Sequence, residues 1–415
     1  MATIKAFKAF RPINNLAQKI AAKPYDVLNS EEARKEAQGN EYSLLRINKP
    51  EIDLPENTDI YADEVYQKGR ENLDLFIKNE WLVQDEKPSL YIYAQRMGNH
   101  LQKGLVAGSA IDDYFNNVIK KHEYTRPVKE NDRIKHMQTL GAQVGPVFLT
   151  YKPLAAIDDV VEKWTTEHEP LQQFTSDDGI EHIVWLIDDA TTIQHLTSTF
   201  STQVKSTYVA DGHHRAAASA KVGKLLREQK GEYTGSESFN FFLSVLFPAN
   251  QLKVMDYNRV VKEMLPDIST DEFLTALMSN FTVIPDKEPV RPSMKGEFGL
   301  YIDKQWYRLL ADDSILMDKD PVECLNISVL SNYVIAPLLG IEDQRTDDRI
   351  DFVGGIRGLG ELEKRVDSGE MRLAFSIPPV SIEDLMHVAD SGKVMPPKST
   401  WFEPKLRSGL FVHQL

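Results

Sequence analysis

Cysteine is nearly missing from this chain. Its 415 residues include one, Cys324, which excludes an intramolecular disulfide framework and any multi-cysteine zinc site. Cys324 lies in the apolar-periodic stretch Val322-Glu323-Cys324-Leu325-Asn326 and reads as a small buried hydrophobe rather than a nucleophile. Long hydrophobic runs are missing too. No window approaches the roughly 18 apolar residues that cross a bilayer, and Phe241 to Phe247 has the length of a core strand. Met1 to Pro12 carries lysines and an arginine without an apolar run, so it does not read as a signal peptide. A cytoplasmic location is expected. Positive charge is in deficit: 48 Lys and Arg against 62 Asp and Glu leave a net charge of −14. A dedicated nucleic-acid binder needs a field that attracts phosphates, and this balance argues against one. Any phosphate site here must be a local basic cluster in an acidic surface.

The remainder is ordinary globular material, 42% hydrophobic and 27% charged, with enough length for two domains. Strands are expected at Ile4–Phe10, Ser89–Ala94, Val144–Tyr151 and Thr207–Ala210. Phe174–Asp188 reads as a hairpin turning at Asp177-Asp178-Gly179. Helical spacing marks the segment after Ser30, Asp63–Glu80, Ser109–Lys121, Glu130–Leu140, Ala155–Thr166, Thr191–Phe200 and Arg215–Glu228. The irregular alternation predicts an α+β fold, a mixed sheet with helices. Two domains are expected, residues 1–260 and 261–415. No internal repeat or low-complexity segment is present. Gly354-Gly355-Ile356-Arg357-Gly358-Leu359-Gly360 lacks dinucleotide-binding spacing and no P-loop lysine follows it, so it reads as a glycine-rich turn.

Three clusters carry chemistry. The sharpest is Asp211-Gly212-His213-His214-Arg215, between a short apolar strand and an alanine-rich helix. The first turn of a helix leaves backbone N–H groups unpaired, and its dipole favours negative charge. Two histidines and an arginine at that point make an anion site with extra donors. Capping and packing alone would explain one histidine, but five consecutive polar or glycine residues do not bury well. Adjacent helical positions point about 100° apart, so these histidines do not read as joint metal ligands, although a magnesium ion shared with substrate phosphates fits. An imidazole beside an arginine should have its pKa lowered by the like charge.

The second cluster, Lys120-Lys121-His122-Glu123-Tyr124-Thr125-Arg126 with Arg133, offers phosphate contacts from His122, Thr125, Arg126 and Arg133. Solvated charges at a helix end are an equal reading. Glu123 is the carboxylate placed to act as a base or to orient a histidine. The third, Pro396-Pro397-Lys398-Ser399-Thr400 continuing to Lys405, groups hydroxyls and ammonium groups suited to phosphate oxygens on a proline-stiffened tail. Asp256-Tyr257-Asn258-Arg259 ends a strand and offers one more arginine.

These clusters, with Pro24-Tyr25-Asp26-Val27, resemble a bacterial and archaeal family of uncharacterised proteins, the domain of unknown function numbered 1015. Members often carry His-Arg where this chain has Asn258-Arg259. The Asp211–Arg215 segment is also similar to the signature of the ParB/sulfiredoxin superfamily, one branch of which comprises ADP-dependent kinases of free serine. That second resemblance implies a ParB/sulfiredoxin-like core in residues 1–260, with the 395–409 tail returning to the site. It implies phosphate contacts from Gly212, His213, His214 and Arg215, and leaves Glu123, Asp26 and Asp211 as candidate bases. ADP or ATP, with magnesium, would be the cofactors. The expected function is phosphoryl transfer at free serine or phosphoserine, in the kinase or the phosphatase direction. The alternative is a non-catalytic regulator that binds a nucleotide or phosphometabolite. A DNA-binding role conflicts with the acidic balance, and oligomeric state lies beyond the sequence.

Overall fold

A computed structural model of the chain describes residues 1–13, 15–317 and 320–415. The chain divides into two units, one made of Met1–Leu252 together with Pro404–Leu415 and the other of Lys253–Glu403. Residue 260 falls inside a strand of the second unit, Tyr257–Val261.

The first unit is organised by a nine-stranded mixed sheet. The strands Leu90–Met97 and His100–Ala110 form its antiparallel centre, extended on one side by Glu181–Ile187 and Gln172–Thr175. On the other side Phe241–Pro248 pairs antiparallel with His100–Ala110 and parallel with Val147–Tyr151. Thr207–Asp211 then pairs antiparallel with Val147–Tyr151 and parallel with Ile119–Lys120. Mixed pairing of this kind is the α+β architecture expected. The central strands are buried on both faces, with Leu90, Ile92, Ala94, Leu149, Val209, Phe242 and Leu246 in one apolar core. A second core under the helices Ser30–Glu36 and Asp63–Lys78 gathers Ile20, Leu44, Leu45, Ile47, Leu73, Phe76 and Leu140. The second unit holds a six-stranded sheet around Tyr257–Val261, Glu297–Ile302 and Leu373–Ser376.

One sequence expectation near the site is corrected. The helix predicted over Ser109–Lys121 is instead the end of the long strand His100–Ala110, a short helix Ile111–Phe115 and a strand Ile119–Lys120. Asn117, at φ 56, takes the left-handed conformation that asparagine tolerates and stops the helix early. Lys120 and Lys121 therefore follow a sheet edge rather than ending a helix, and the Lys121 ammonium lies 4.3 Å from the Tyr114 ring centroid. The following helix starts at Pro127, where proline at its first turn costs no hydrogen bond, and ends at Leu140 before left-handed Gly141.

Candidate functional site

The Thr207–Asp211 strand is irregular at its end, where the register shifts between Val209 and Asp211. Gly212 then turns the chain at φ 89, a conformation that glycine adopts without strain. The helix His213–Lys230 starts at once. The side-chain position that Gly212 lacks is filled by the Arg215 guanidinium, whose Nε, Cζ and Nη2 would lie 3.0–3.1 Å from a Cβ there. Ala216, Ala217, Ala218 and Ala220 bury the next turns against the sheet and the Pro127–Leu140 helix, with Met137 and Val222 filling the contact. Small residues let this helix sit close; at Gly223 a Cβ would meet the Phe239 carbonyl at 2.3 Å.

His213 and Arg215 are only 6% and 8% exposed. His213 Nε2 and Arg215 Nε are buried with no hydrogen-bond partner among the described residues. Arg215 Nη1 donates to the Pro146 carbonyl. On its other side His213 places Nδ1 3.7 Å from Glu123 Oε2, and its ring meets His122 edge to face, centroids 4.5 Å apart. Burial holds His213 down at about 4; Asp211 opposes this, while the neighbouring His214 and the Lys121 cation add to it. His122 is pushed well down by burial and by His213. His214 is lowered too, by burial and then by Arg126 and Lys129, against Asp26 and Glu130. The lowering matches the expected direction, but burial is its largest cause and Arg215 is not among the charges that produce it. All three rings are neutral at pH 7.

Asp211 goes the opposite way. Burial would raise it, but Lys405, Arg215 and the Gly212 N–H outweigh that and hold it at about 2. The Lys405 ammonium lies 3.2 Å from its Oδ2, and the Gly212 N–H donates to Oδ1 at 2.8 Å. The carboxylate is thus fixed and ionised. A base that holds its proton so weakly is poor at abstracting one.

The second cluster is only partly directed at the site. The Arg126 backbone N–H donates to His214 Nε2 at 3.0 Å, which makes that nitrogen an acceptor and leaves any hydrogen on Nδ1. The Arg126 side chain is exposed. The Thr125 hydroxyl, expected on a phosphate, donates to Glu130 Oε2 at 2.6 Å. Glu130 also pairs with Lys221. Arg133 is committed to Asp132, donating from Nε and Nη2 at 2.9 and 2.8 Å, and it stacks 4.0 Å from the Tyr25 ring. Thr125 and Arg133 therefore act through neighbours. In the third cluster Lys405 belongs to the first unit and Lys398, Ser399 and Thr400 to the second. There the Ser399 hydroxyl donates to the Pro396 carbonyl at 2.6 Å, and Lys398 sits at φ 57. Arg259, weighed as a strand-end arginine, is instead interior to its strand and wholly buried, with Nη2 donating to the carbonyls of Pro397 and Lys398 at 3.3 and 3.1 Å.

Sequence reasoning did not find Tyr25 as a participant. Its buried phenol is pushed up by burial and by Asp26, while Arg133 and Arg215 pull it down, so these charges surround it. Nothing in local periodicity shows that a proline-bounded turn near residue 25 packs beside a helix start near residue 215.

Among the described residues no three His, Cys, Asp or Glu side chains are grouped to hold a metal, and no helix is long and apolar enough to cross a membrane. The first unit is thus a mixed-sheet α+β body in which a strand, a glycine turn and a helix start carry Asp211, His213 and Arg215. The chain belongs to the family described as Protein of unknown function (DUF1015), whose model matches residues 4–328. No curated protein matches it. Among solved structures, a free serine kinase in complex with AMP shares 15% identity, covering 71% of this chain and 85% of its own, at a TM-score of 0.35. A conserved hypothetical protein from Pyrococcus furiosus shares 16%, over 72% and 94%, at 0.33. C-terminally truncated SbnI from Staphylococcus aureus shares 10%, over 74% and 87%, at 0.38. Likeness this distant carries no argument about activity.

Proposed function

We propose that the protein is a phosphoryl-transfer enzyme acting on a small phosphorylated metabolite, with the phosphoryl group seated at the start of the His213–Lys230 helix. One observation carries this reading: His213 Nε2 and Arg215 Nε are both buried and unpartnered beside that helix N-terminus. An unsatisfied buried polar atom costs about 1–3 kcal/mol; beside a positive helix end the Arg215 Nε–H suits an anionic ligand that accepts from it, and His213 Nε2 suits a hydroxyl that donates to it. The resemblance of Asp211-Gly212-His213-His214-Arg215 to the serine kinase branch selects serine and phosphoserine as the substrate pair.

In this reading Arg215 and the free N–H groups of the first turn hold the phosphoryl oxygens, where charge accumulates during transfer. Glu123 faces His213 Nδ1 and favours the tautomer with hydrogen there, which leaves the Nε2 lone pair towards the substrate. His213 Nε2 takes the seryl hydroxyl proton as the new O–P bond forms and the phosphorus–oxygen bond of a nucleotide donor breaks. In the reverse direction it returns that proton. Without nucleotide, the same nitrogen draws a proton from water as its oxygen bonds to phosphorus and the seryl oxygen–phosphorus bond breaks, and it returns the proton to the departing seryl oxygen, giving serine and inorganic phosphate. Any magnesium would travel with the phosphates.

Phosphorus NMR of the protein with phosphoserine, with and without AMP, ADP and magnesium, tests this. Transfer to a nucleotide identifies a kinase; inorganic phosphate without nucleotide identifies a phosphatase. No turnover under any condition rejects the serine-phosphate reading and leaves a phosphometabolite sensor.

A further inference from the structure

The last twelve residues, Pro404–Leu415, rejoin the first unit after the second has been completed, and they are fastened along their length. The Lys405 carbonyl accepts from Gln95 Nε2 at 2.9 Å. Ser408 exchanges both backbone hydrogen bonds with Ala22, the Gly409 N–H donates to Val144, and Val412 exchanges both with Phe10. Side by side with this backbone zipper lies one charged anchor. Arg407 is 5% exposed; its Nη2 reaches Ser176 Oγ at 3.1 Å and pairs with Asp178, and its Nε faces His182 Nε2 at 3.4 Å. His182 Nδ1 is held in turn by the Tyr93 hydroxyl at 2.8 Å. Asp178 is the hairpin-turn residue, so the anchor ties the tail to the Phe174–Asp188 hairpin.

Two residues before Arg407, Lys405 meets Asp211. One residue after it, Ser408 packs so near Gly145 that a Cβ there would lie 2.8 Å from Ser408 Oγ and 3.8 Å from Arg215 Nη1. The tail therefore meets the turn at Asp211 and packs on Gly145, which lies beside Arg215, from a segment beyond residue 328, where the family match stops.

We propose that Arg407 is a positioning residue: by locking the tail onto Asp178, Ser176 and His182, it sets Lys405 against Asp211 and so fixes the anion cradle. A lysine ammonium on a flexible stem has little geometric preference of its own, and a backbone held on both sides of it supplies that preference. The consequence for ligand rests on the phosphoryl-transfer reading above; the coupling from Arg407 through Lys405 to Asp211 does not.

The test is a double-mutant cycle on the full chain with Arg407→Gln and Lys405→Met, read in two ways. Carboxyl carbon NMR follows the Asp211 titration without ligand. It should move up from about 2 in each single variant and no further in the double, with Arg407→Lys restoring part of the shift. Affinity for inorganic phosphate and phosphoserine should fall about tenfold, a change of about 1.4 kcal/mol, in each single variant, and the double should be no weaker than Lys405→Met. Additive losses, or an unchanged Asp211 titration in Arg407→Gln, would overturn the proposal. If Arg407→Gln does not fold, Asp178→Asn at the exposed end of the anchor replaces it under the same criteria. A wild-type protein that binds neither anion rejects the functional reading alone, and the Asp211 titration still decides the coupling.

Discussion

Two buried histidine–arginine groups lie in the first unit, and they are finished differently. Around His182 every polar ring atom is met: Tyr93 at Nδ1, Ser176 and Arg407 at Nε2. Arg407 in turn ends on Asp178. Around His213 the pattern breaks, with His213 Nε2 and Arg215 Nε left unsatisfied and the nearest carboxylate, Glu123, at 3.7 Å. Both histidines are depressed, His182 to about 3 and His213 to about 4, mainly by burial. A lowered pKa therefore does not separate a structural histidine from a working one. Satisfaction does: the network around His182 is closed, and the one around His213 leaves polar atoms without a partner among the described residues.

The sharpest way to break this contrast is to delete each histidine. His213→Ala should cut turnover by about 10²- to 10⁴-fold, the range for a lost general base, while unfolding free energy falls by less than in His182→Ala, because the cavity left by the ring is not joined by the loss of a satisfied hydrogen bond. His182→Ala should instead lower stability by about 2–3 kcal/mol, since it opens a cavity and strands Tyr93 and Ser176. Denaturant titration and steady-state assays on both variants check the pair of outcomes. If the losses exchange places, the contrast is wrong.

Acid provides a finer probe. His213 at about 4, with His182 and His136 at about 3, all lie below the ordinary 6.5. Between those values the unfolded chain binds more protons than the folded one, so stability is complete above about pH 6.5 and falls as pH drops. Each such histidine contributes a slope of about 1.4 kcal/mol per pH unit. Saturating phosphate should remove the His213 share, because a bound anion favours its protonation, and leave the His182 share intact. Melting curves from pH 7 to 5 with and without phosphate would show equal slopes if no anion sits there.

Smaller effects are expected further out. Glu123→Gln should lower turnover by about three- to tenfold, because its half-exposed carboxylate is separated from His213 and screened by solvent. Thr125→Val should cost activity about twofold or less and act through Glu130. A pH–rate profile for the first and a simple rate comparison for the second suffice; a hundredfold loss in Thr125→Val would restore it as a direct ligand.

Local sequence carried much of this. The strand, glycine and polar run at Asp211–Arg215 showed a strand, a turn and a helix start because each residue type has a local backbone reason to be there. The mixed sheet was legible from apolar alternation in segments such as Ser89–Ala94 and Ile183–Ile187. Long-range commitments were not. Thr125 looks available until Glu130 comes round one turn of helix to accept from it, and Arg133 looks available until Asp132 and Tyr25 hold it. The helix assigned to Ser109–Lys121 failed on one left-handed asparagine. Arg407 was passed over because its partners, Ser176, Asp178 and His182, lie more than two hundred residues away in sequence.

The central claim is that the first turn of the His213–Lys230 helix binds a phosphoryl anion through His213 and Arg215. Ring-nitrogen NMR of histidine-labelled protein, titrated with phosphoserine, tests it most directly. The account predicts that His213 Nε2 shifts and its titration rises from about 4, that His182 stays unmoved, and that Arg215→Met abolishes the response. Binding that leaves the His213 resonances unchanged would contradict it.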